Sequence, residues 1–261
     1  NMFGTQQVLE FCRRKQCPLV YVSTYVYGDP LRLPVDEDHP VRPATPYAHS
    51  KYMGEELCRF YHRYWGVGVN ILRPFNIYGL GQKASFLIPH LIRQIREKNM
   101  IEVRSLLPRR DFLYIDDAVD ALMFFLKTTT QQIYNLGSGV SYSVEDVIGL
   151  LQTLLGSCAD IVQSRAQVPN EVLEVRADCG RLRRTFGWSP KYMSDALPIL
   201  NTAQDCARLA KRLGTGPVVA LWATGQPRST VDVMLQFREL LQQRKFKVVL
   251  LLRKSAVQNF S

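Results

Sequence analysis

The sequence predicts an α/β protein built on a parallel sheet, because helix and strand patterns alternate along residues 1–80. Apolar residues at helical spacing indicate a helix at 5–15, and the β-rich run at 18–24 is typical of a buried parallel strand. A long amphipathic helix at 46–65 and an apolar strand at 69–74 repeat that order. Such alternation is typical of crossover units, in which a helix joins two parallel strands.

Residues 81–206 carry shorter and more irregular elements. A Ser143-x-x-Asp146 pattern, in which each side chain can bond the other residue's backbone, opens the last of the helices that we expect here. The other expected elements are helices at 85–98 and 116–127 and strands at 101–104, 111–115 and 132–138. We expect these residues to form a smaller α/β lobe over the carboxyl ends of the strands, where open α/β sheets bind ligands.

Residues 207–261 form a basic tail. Within it, 216–254 has the order strand, turn, helix and strand of one further βαβ unit. The tail holds ten Lys or Arg residues against two acidic ones, which accounts for +8 of the chain's net charge of +10. Residues 1–206 are therefore nearly neutral, and their charge does not indicate nucleic-acid binding.

The composition indicates a globular protein from a reducing compartment. Hydrophobic residues make up 46% of the 261 positions, enough to bury a substantial core. The six cysteines form no Cys-x-x-Cys pair and no metal-ligand spacing with the four histidines, so we expect neither disulfides nor a metal site. No signal-peptide pattern is present, and the apolar run at 248–252 is far too short for a membrane span. These features predict a soluble cytoplasmic protein.

Four motifs occur in a fixed order and are the candidates for chemistry. Tyr47 and Lys51 share one face of the predicted helix. The pKa of a tyrosine phenol is ordinarily ~10, and a nearby ammonium such as that of Lys51 favours its phenolate form. This pair alone is a weak signal, because both residues are common on helix surfaces. The other motifs are Ser-Thr-Tyr-Val-Tyr-Gly at 23–28, Arg-Pro-Phe-Asn-Ile-Tyr-Gly at 73–79 and Arg-Arg-Asp-Phe-Leu-Tyr-Ile-Asp-Asp at 109–117.

With these motifs, residues 1–198 resemble the extended short-chain dehydrogenase/reductases that act on nucleotide sugars, a family that includes UDP-galactose 4-epimerase and the sugar-nucleotide 4,6-dehydratases. The segment 174–191, with its aspartate followed by Gly-Trp-Ser-Pro, is similar to the closing region of that family. The resemblance implies a Rossmann-like parallel sheet, incomplete in its N-terminal half, with a C-terminal substrate lobe. It also implies NAD as the cofactor, although the sequence does not distinguish NAD from NADP.

The resemblance implies a catalytic set at the ends of two elements. Tyr47 takes the proton of the sugar C4 hydroxyl while hydride passes to NAD+, and Lys51 also holds the nicotinamide ribose. Ser23 hydrogen-bonds the same sugar oxygen. The neighbouring Thr24 is the less favoured candidate, because the serine or threonine of the family aligns with Ser23 when the chain is counted from Gly28.

Further residues match binding positions of the family. Pro74 and Phe75 match the segment that lies against the nicotinamide, and Asn76 matches a residue that touches the substrate near its diphosphate. Arg110 matches a basic residue that holds the diphosphate, a role that suits the forked guanidinium. Glu171 matches a family acid in the substrate site. Each position also has a purely structural explanation, namely a strand end or a surface ion pair such as one between Arg110 and the next residue in the chain.

Two departures from the family pattern bear on the reaction. The dehydratases follow their serine or threonine with an Asp-Glu pair, and this chain has Thr24 and Tyr25 there. This difference favours epimerisation or simple oxidoreduction over loss of water. The arginine expected three positions before Glu171 is Val168, so one diphosphate contact is either absent or supplied by Arg165.

The glycine-rich strand, turn and helix that open the family have no counterpart at the start of this sequence. In the tail, Thr224 and Gly225 fall where the family has Thr-Gly, but the glycine pattern does not continue beyond them. Three interpretations of 207–261 remain open. The tail is the start of a second Rossmann-like unit, a permuted or partner-donated unit that completes the sheet, or a basic binding appendage.

We therefore expect an NAD-dependent nucleotide-sugar 4-epimerase. A reductase, dehydratase or decarboxylase of the same family is the alternative within enzymes, and a non-catalytic binding module is the alternative of another class. The expected partners are a nucleotide-diphosphate sugar and a second copy of the chain, with no membrane and no nucleic acid. The dimer contact would use four apolar residues on the Tyr-Lys helix: Met53, Leu57, Phe60 and Tyr64. The sequence does not identify the sugar or the nucleotide base.

Overall fold

The computed structural model describes residues 1–79, 81–98, 100–125, 128–164 and 172–191 and two strands at 219–222 and 248–251. Its helices are α1 (Met2–Lys15), α2 (Pro46–Trp65), α3 (Leu87–Lys98), α4 (Ile115–Phe125), α5 (Val144–Leu155) and α6 (Gly180–Phe186). Its strands are β1 (Leu19–Val22), β2 (Val69–Pro74), β3 (Asn76–Tyr78), β4 (Met100–Val103), β5 (Arg109–Tyr114), β6 (Ile133–Leu136), β7 (Ser141–Ser143), β8 (Asp160–Gln163), β9 (Glu174–Val175), β10 (Val219–Trp222) and β11 (Val248–Leu251). The α/β class is confirmed. None of the helices among these residues is long and apolar enough to cross a membrane.

The central sheet consists of β1, β2 and β6 in that order, and its strands are parallel as predicted. Leu19 pairs with Val69, and Ile71 pairs with Ile133. All six residues of β2 are buried, including the polar Asn70 and Arg73, whose side chains make hydrogen bonds inside the protein. The carboxyl ends of the three strands lie at one edge of the sheet, and the segments that follow β1 and β2 carry two of the predicted motifs.

Helix α2 has clear start and stop signals. The Thr45 side chain accepts a hydrogen bond from the Ala48 backbone N–H at 3.1 Å, and Pro46 occupies the first helical turn. Gly66 ends the helix in the left-handed region, with φ at 67°. The buried face of α2 packs with α1, β1 and β2 around one apolar cluster, so the helix lies against the sheet along its length.

The second lobe is built around β5, which pairs in parallel with β3 and β9 and antiparallel with β7. Helices α3 and α5 pack on a second apolar cluster beside this sheet. Asp111 joins β5 to the segments at 138–139 and 177, because its fully buried carboxylate accepts four hydrogen bonds from them. The donors are the backbone N–H groups of Ser138 (2.6 Å), Gly139 (2.9 Å) and Ala177 (2.9 Å) and the Ser138 hydroxyl (2.7 Å).

In the tail, β10 and β11 pair in parallel, with Val219 opposite Val248. This agrees with the two strands predicted for 216–254, while the helix predicted between them lies outside the described residues. The division into residues 1–80, 81–206 and 207–261 stays a prediction, as do the three interpretations of the tail.

Two helical glycines provide a matched test of packing. A Cβ at Gly54 in α2 would collide with the Tyr21 hydroxyl, which donates to the Lys51 carbonyl oxygen at 3.1 Å, whereas a Cβ at Gly149 in α5 would meet open space. We expect Gly54→Ala to lower the free energy of unfolding by about 1–3 kcal/mol through overpacking. Gly149→Ala should raise it by about 0.5–1 kcal/mol, because alanine has the higher helix propensity. Urea unfolding of both variants measures these changes, and equal effects would contradict this packing of α2 on β1.

Candidate active site

The candidate site lies at the carboxyl ends of β1 and β2, next to the first turns of α2. Ser23 and Thr24 follow β1 directly, and Phe75 follows β2. Tyr47 and Lys51 lie in the first two turns of α2. The fold thus brings the first three predicted motifs to one edge of the sheet, where α/β proteins bind ligands.

Lys51 is a buried amine at this edge. Its ammonium donates a hydrogen bond to the Val22 carbonyl oxygen at 2.8 Å and lies 5.3 Å from the centre of the Tyr21 ring. Burial lowers the pKa of Lys51 to about 8, and the negative charge of Glu55 opposes this change. One of the three N–H donors of the ammonium is thus used by Val22, which leaves donors for a ligand.

Tyr47 is 39% exposed, so of Tyr47 and Lys51 it is the residue that solvent or a ligand can reach. Burial of its phenol raises the pKa of Tyr47, and hydrogen bonding with the Thr24 side chain opposes that rise. The hydroxyl group beside the Tyr47 phenol is therefore that of Thr24, which the sequence had favoured less than Ser23.

Ser23 points to the interior. It is 3% exposed, and its hydroxyl donates to Glu55 Oε1 at 2.6 Å. Burial alternates along 19–24, so that Ser23 shares the buried face with Leu19 and Tyr21 while Thr24 does not. The run at 19–22 is apolar on both faces of the strand, so the sequence carries no signal for which of the two hydroxyl groups points inward. A catalytic role for Ser23 stays a prediction.

A buried ion pair that sequence reasoning missed connects α2 to the sheet. The Arg73 guanidinium donates from Nε to Glu55 Oε1 at 3.0 Å and from Nη2 to Glu55 Oε2 at 2.6 Å. Both side chains are at most 1% exposed. Arg73 also donates to the Tyr27 hydroxyl at 3.0 Å, and Tyr27 donates to the Asn135 side-chain oxygen at 2.6 Å. The network therefore joins α2, β2 and β6 beneath the candidate site.

The predicted nicotinamide and diphosphate contacts lie nearby on β2 and β3. Pro74 is the buried last residue of β2, and the Phe75 ring is 8% exposed, with its centre 5.1 Å from that of Tyr25. Asn76 opens β3 half-buried, and its side-chain amide donates to the Asp111 carbonyl oxygen at 3.2 Å. These three residues form one short stretch beside the end of β1.

Arg110 is half-buried on β5, and its guanidinium donates to the Arg109 carbonyl oxygen at 2.9 Å. Burial raises the pKa of Tyr25, and the positive charge of Arg110 opposes this rise. The guanidinium therefore lies near Tyr25, in the segment that follows β1. The alternative of an ion pair with Asp111 is wrong, because neighbouring residues on a strand point to opposite faces and the Asp111 carboxylate is buried among other donors.

The acidic residue of the late segment is not placed by the structure, since Glu171, Val168 and Arg165 lie outside the described residues. Among the residues that are described, no group of three His, Cys, Asp or Glu side chains could hold a metal ion. The structure therefore brings together five residues at the edge of the central sheet: Thr24, Tyr47, Lys51, Phe75 and Asn76. Arg110 belongs to β5 of the second lobe.

Comparisons with known proteins agree with this arrangement. The model of the NAD dependent epimerase/dehydratase family matches residues 1–137. A putative UDP-glucose 4-epimerase from Methanocaldococcus jannaschii is 30% identical over 198 residues, which cover 73% of this chain and 64% of the relative. A GDP-6-deoxy-D-mannose reductase from Pseudomonas aeruginosa is 33% identical over 204 residues, covering 73% of this chain and 67% of the relative. The chain thus spans about two thirds of the length of these relatives.

Two solved structures extend the comparison. RMD from Pseudomonas aeruginosa, complexed with NADPH, is 31% identical with a TM-score of 0.70, covering 74% of this chain and 68% of the other. UDP-glucuronic acid 4-epimerase from Bacillus cereus, in complex with UDP-glucuronic acid and NAD, is 30% identical with a TM-score of 0.68. The match covers 74% of this chain and 62% of that structure's chain. The Rossmann-like fold and the use of a nicotinamide dinucleotide by these similar proteins are in line with the sequence prediction.

The ion pair can be tested by a double-mutant cycle. Arg73→Met leaves the buried Glu55 carboxylate with only the partly exposed Arg59 guanidinium, 3.2 Å from Oε2, as an ion-pair partner, so we expect it to lower the free energy of unfolding by about 3 kcal/mol. Glu55→Gln combined with Arg73→Met should cost less than Arg73→Met alone, because no isolated charge remains while Gln still accepts from Ser23. Urea unfolding of both single variants and the double variant measures the coupling, and strictly additive losses would contradict it.

The lowered pKa of Lys51 predicts a pH dependence of stability. The pKa of Lys51 is about 8 in the folded protein and 10.5 when the side chain is unperturbed, as in the unfolded chain. Between these pH values the unfolded chain binds more protons than the folded one. The cost of burying Lys51 therefore falls as the pH rises through this range. At pH 7 we expect Lys51→Met to be more stable than wild type, by up to about 3 kcal/mol. That advantage should shrink as the pH rises through this window. Unfolding of both proteins across the window measures the difference, and a constant difference would show that Lys51 is not destabilised by burial.

Proposed function

This chain belongs to the NAD-dependent epimerase/dehydratase family, and from that premise we propose that it epimerises a nucleotide-diphosphate hexose at C4. The observation that supports the proposal most directly is the arrangement of Tyr47, Lys51 and Thr24. A half-exposed phenol, a buried amine and a hydroxyl group meet at the carboxyl edge of a parallel sheet. This set suits removal and return of one proton at a sugar hydroxyl.

The residues present fit a nicotinamide dinucleotide. The donors of Lys51 that remain beside its bond to Val22 can bind ribose hydroxyl groups. Pro74 and Phe75, both largely buried, make the carboxyl end of the neighbouring strand β2 apolar, and we assign the nicotinamide ring to this end. When bound, NAD+ or NADP+ supplies the group that accepts hydride and returns it. The comparisons leave both dinucleotides open, since the matching structures contain NADPH or NAD.

Tyr47 acts as the base that takes the proton of the C4 hydroxyl. Burial raises the pKa of its phenol, which by itself opposes this role. The hydrogen bond with Thr24 favours the phenolate. We assign the same effect to the ammonium of Lys51, which lies four residues further along the same face of α2. Because the pKa of Lys51 is near 8, a large fraction of the amine is charged at neutral pH. Loss of hydride from C4 and of the hydroxyl proton to Tyr47 gives a ketone at C4. Return of hydride to the opposite face of C4 and of the proton to the oxygen inverts that carbon.

Ser23 acts in this proposal as a positioning residue, because its hydroxyl is held by Glu55. Asn76 and Arg110 bind the diphosphate, to which the guanidinium contributes charge and paired donors. Glu171 is proposed as a further substrate contact on the sequence match alone.

Epimerisation is favoured over dehydration by the residue that follows Thr24. Tyr25 donates its phenolic proton to the Gly28 carbonyl oxygen at 2.8 Å, and burial raises the pKa of Tyr25. A neutral phenol fixed in this way is poorly suited to the acid-base chemistry by which water is lost. A reductase is the second candidate, supported by the 33% identity to GDP-6-deoxy-D-mannose reductase.

We also propose a cytoplasmic homodimer that uses the outer face of α2. Phe60 and Tyr64 are 45% and 63% exposed and Met53 is half-buried, whereas Leu57 packs against the apolar cluster between α1 and α2. The aromatic part of the predicted stripe is therefore the part that is open to a second copy of the chain. Large aromatic side chains exposed together are typical of protein interfaces.

The test supplies the purified protein with NAD+ and UDP-hexoses and analyses the products by chromatography and mass. An epimer has the mass of the substrate, while dehydration, decarboxylation and reduction each change it. We expect Tyr47→Phe to lower kcat by about 10²–10⁴-fold and Thr24→Val by roughly 10 to 100-fold. Tyr64→Phe, on the exposed part of α2, is the matched control and should retain wild-type kcat.

Several outcomes would contradict the proposal. Turnover of Tyr47→Phe at the wild-type rate would rule out the phenol as the base. A larger loss of kcat in Ser23→Ala than in Thr24→Val would assign the catalytic hydroxyl to Ser23. A product of altered mass would replace epimerisation by the reaction that this mass identifies.

A further inference from the structure

The C-terminal end of α1 brings two cysteines together. Gln16 lies in the left-handed region, with φ at 49° and ψ at 43°, and its N–H donates to the Cys12 carbonyl oxygen. The next N–H, that of Cys17, donates to the same oxygen at 3.1 Å. In this type of helix cap the residue after the left-handed one folds back on the last turn, and the two side chains make contact. Those side chains are here the thiols of Cys12 and Cys17.

The two thiols differ in their surroundings. Cys12 is buried in the apolar cluster between α1 and α2, whereas Cys17 is half-buried at the rim of that cluster. Burial raises the pKa of Cys12 to about 12, and a hydrogen bond with the Cys17 thiol adds to this rise. Both thiols are free in the structure. The pair thus consists of one accessible sulfur and one protected sulfur in contact with it.

We propose that Cys12 and Cys17 form a redox site that peroxides convert into a reversible disulfide. Hydrogen peroxide first oxidises the Cys17 thiolate to a sulfenic acid and is itself reduced to hydroxide. The Cys12 sulfur then attacks the sulfenic sulfur, so that the S–S bond forms and the hydroxyl group leaves with the Cys12 proton as water. Two thiols and one peroxide thereby give one disulfide and two water molecules.

Cys58 on α2 is the competing partner for Cys12, because the two side chains share the same cluster and interact electrostatically. Cys58 is fully buried, and burial raises its pKa. A bridge between Cys12 and Cys58 would cross-link α1 to the helix that carries Tyr47 and Lys51. The cap geometry favours the bridge within the turn, since Cys17 is both nearer to solvent and fixed on Cys12 by the backbone bond.

The sequence makes the bridge easy to detect. Trypsin cleaves after Arg13, Arg14 and Lys15, which separates the two cysteines into the peptides 1–13 and 16–32. The folded protein is treated with hydrogen peroxide, its free thiols are blocked with N-ethylmaleimide, and the digest is analysed by mass spectrometry without reductant. We expect peptides 1–13 and 16–32 as one linked species, which dithiothreitol separates again.

Two variants serve as controls for this experiment. Cys17→Ser should abolish the linked species, and its thermal unfolding midpoint shows whether it still folds. Cys158→Ser, at the exposed cysteine of the second lobe, should leave the yield of linked peptides unchanged.

The proposal is overturned if Cys12 and Cys17 are both recovered with N-ethylmaleimide, or if Cys17 is recovered as the sulfinic acid. Linkage of peptide 1–13 to the Cys58 peptide would also overturn it and would assign the resolving thiol to α2. These results do not depend on turnover of any sugar, so they are separate from the test of the proposed reaction.

Discussion

The buried ion pair between Glu55 and Arg73 is the interaction on which the arrangement of the site depends. It places two opposite charges at the junction of α2 and β2, both shielded from water. Removing charges from water is costly, so such a pair is stable only when its remaining donors and acceptors are also satisfied. Ser23 and Tyr27 do this by binding the free positions on the two groups. In this register of α2 on the sheet, Glu55 lies opposite Arg73.

That register determines where the reactive groups lie. Lys51 is one helical turn before Glu55 and Tyr47 is two turns before it, so all three share one face of α2. The ion pair secures this face at the sheet, and the first turn extends past the end of β1 to Thr24. Lys51 is then buried at a cost in stability, with its pKa lowered. A perturbed amine next to an open phenol is the kind of arrangement that functional sites retain.

Much of this arrangement could be predicted from local sequence. The parallel strands follow from apolar runs between helices, and the limits of α2 follow from Thr45 and Gly66. Local sequence was insufficient where the arrangement depended on the direction of a side chain. Arg110 and Asp111 are adjacent in the chain but lie on opposite faces of a strand, and Ser23 rather than Thr24 points inward. The pairing of Glu55 with Arg73 and the contact of Cys12 with Cys17 depend on tertiary and cap geometry that composition does not encode.

A nicotinamide-dependent site held by α2 is tested most directly by the nucleotide content of the purified protein. Acid extraction followed by chromatography and mass detection measures bound NAD(H) or NADP(H). We expect nicotinamide nucleotide in stoichiometric amount, either in the protein as purified or after incubation with the dinucleotide. A protein that contains none and binds neither NAD+ nor NADP+ would contradict it.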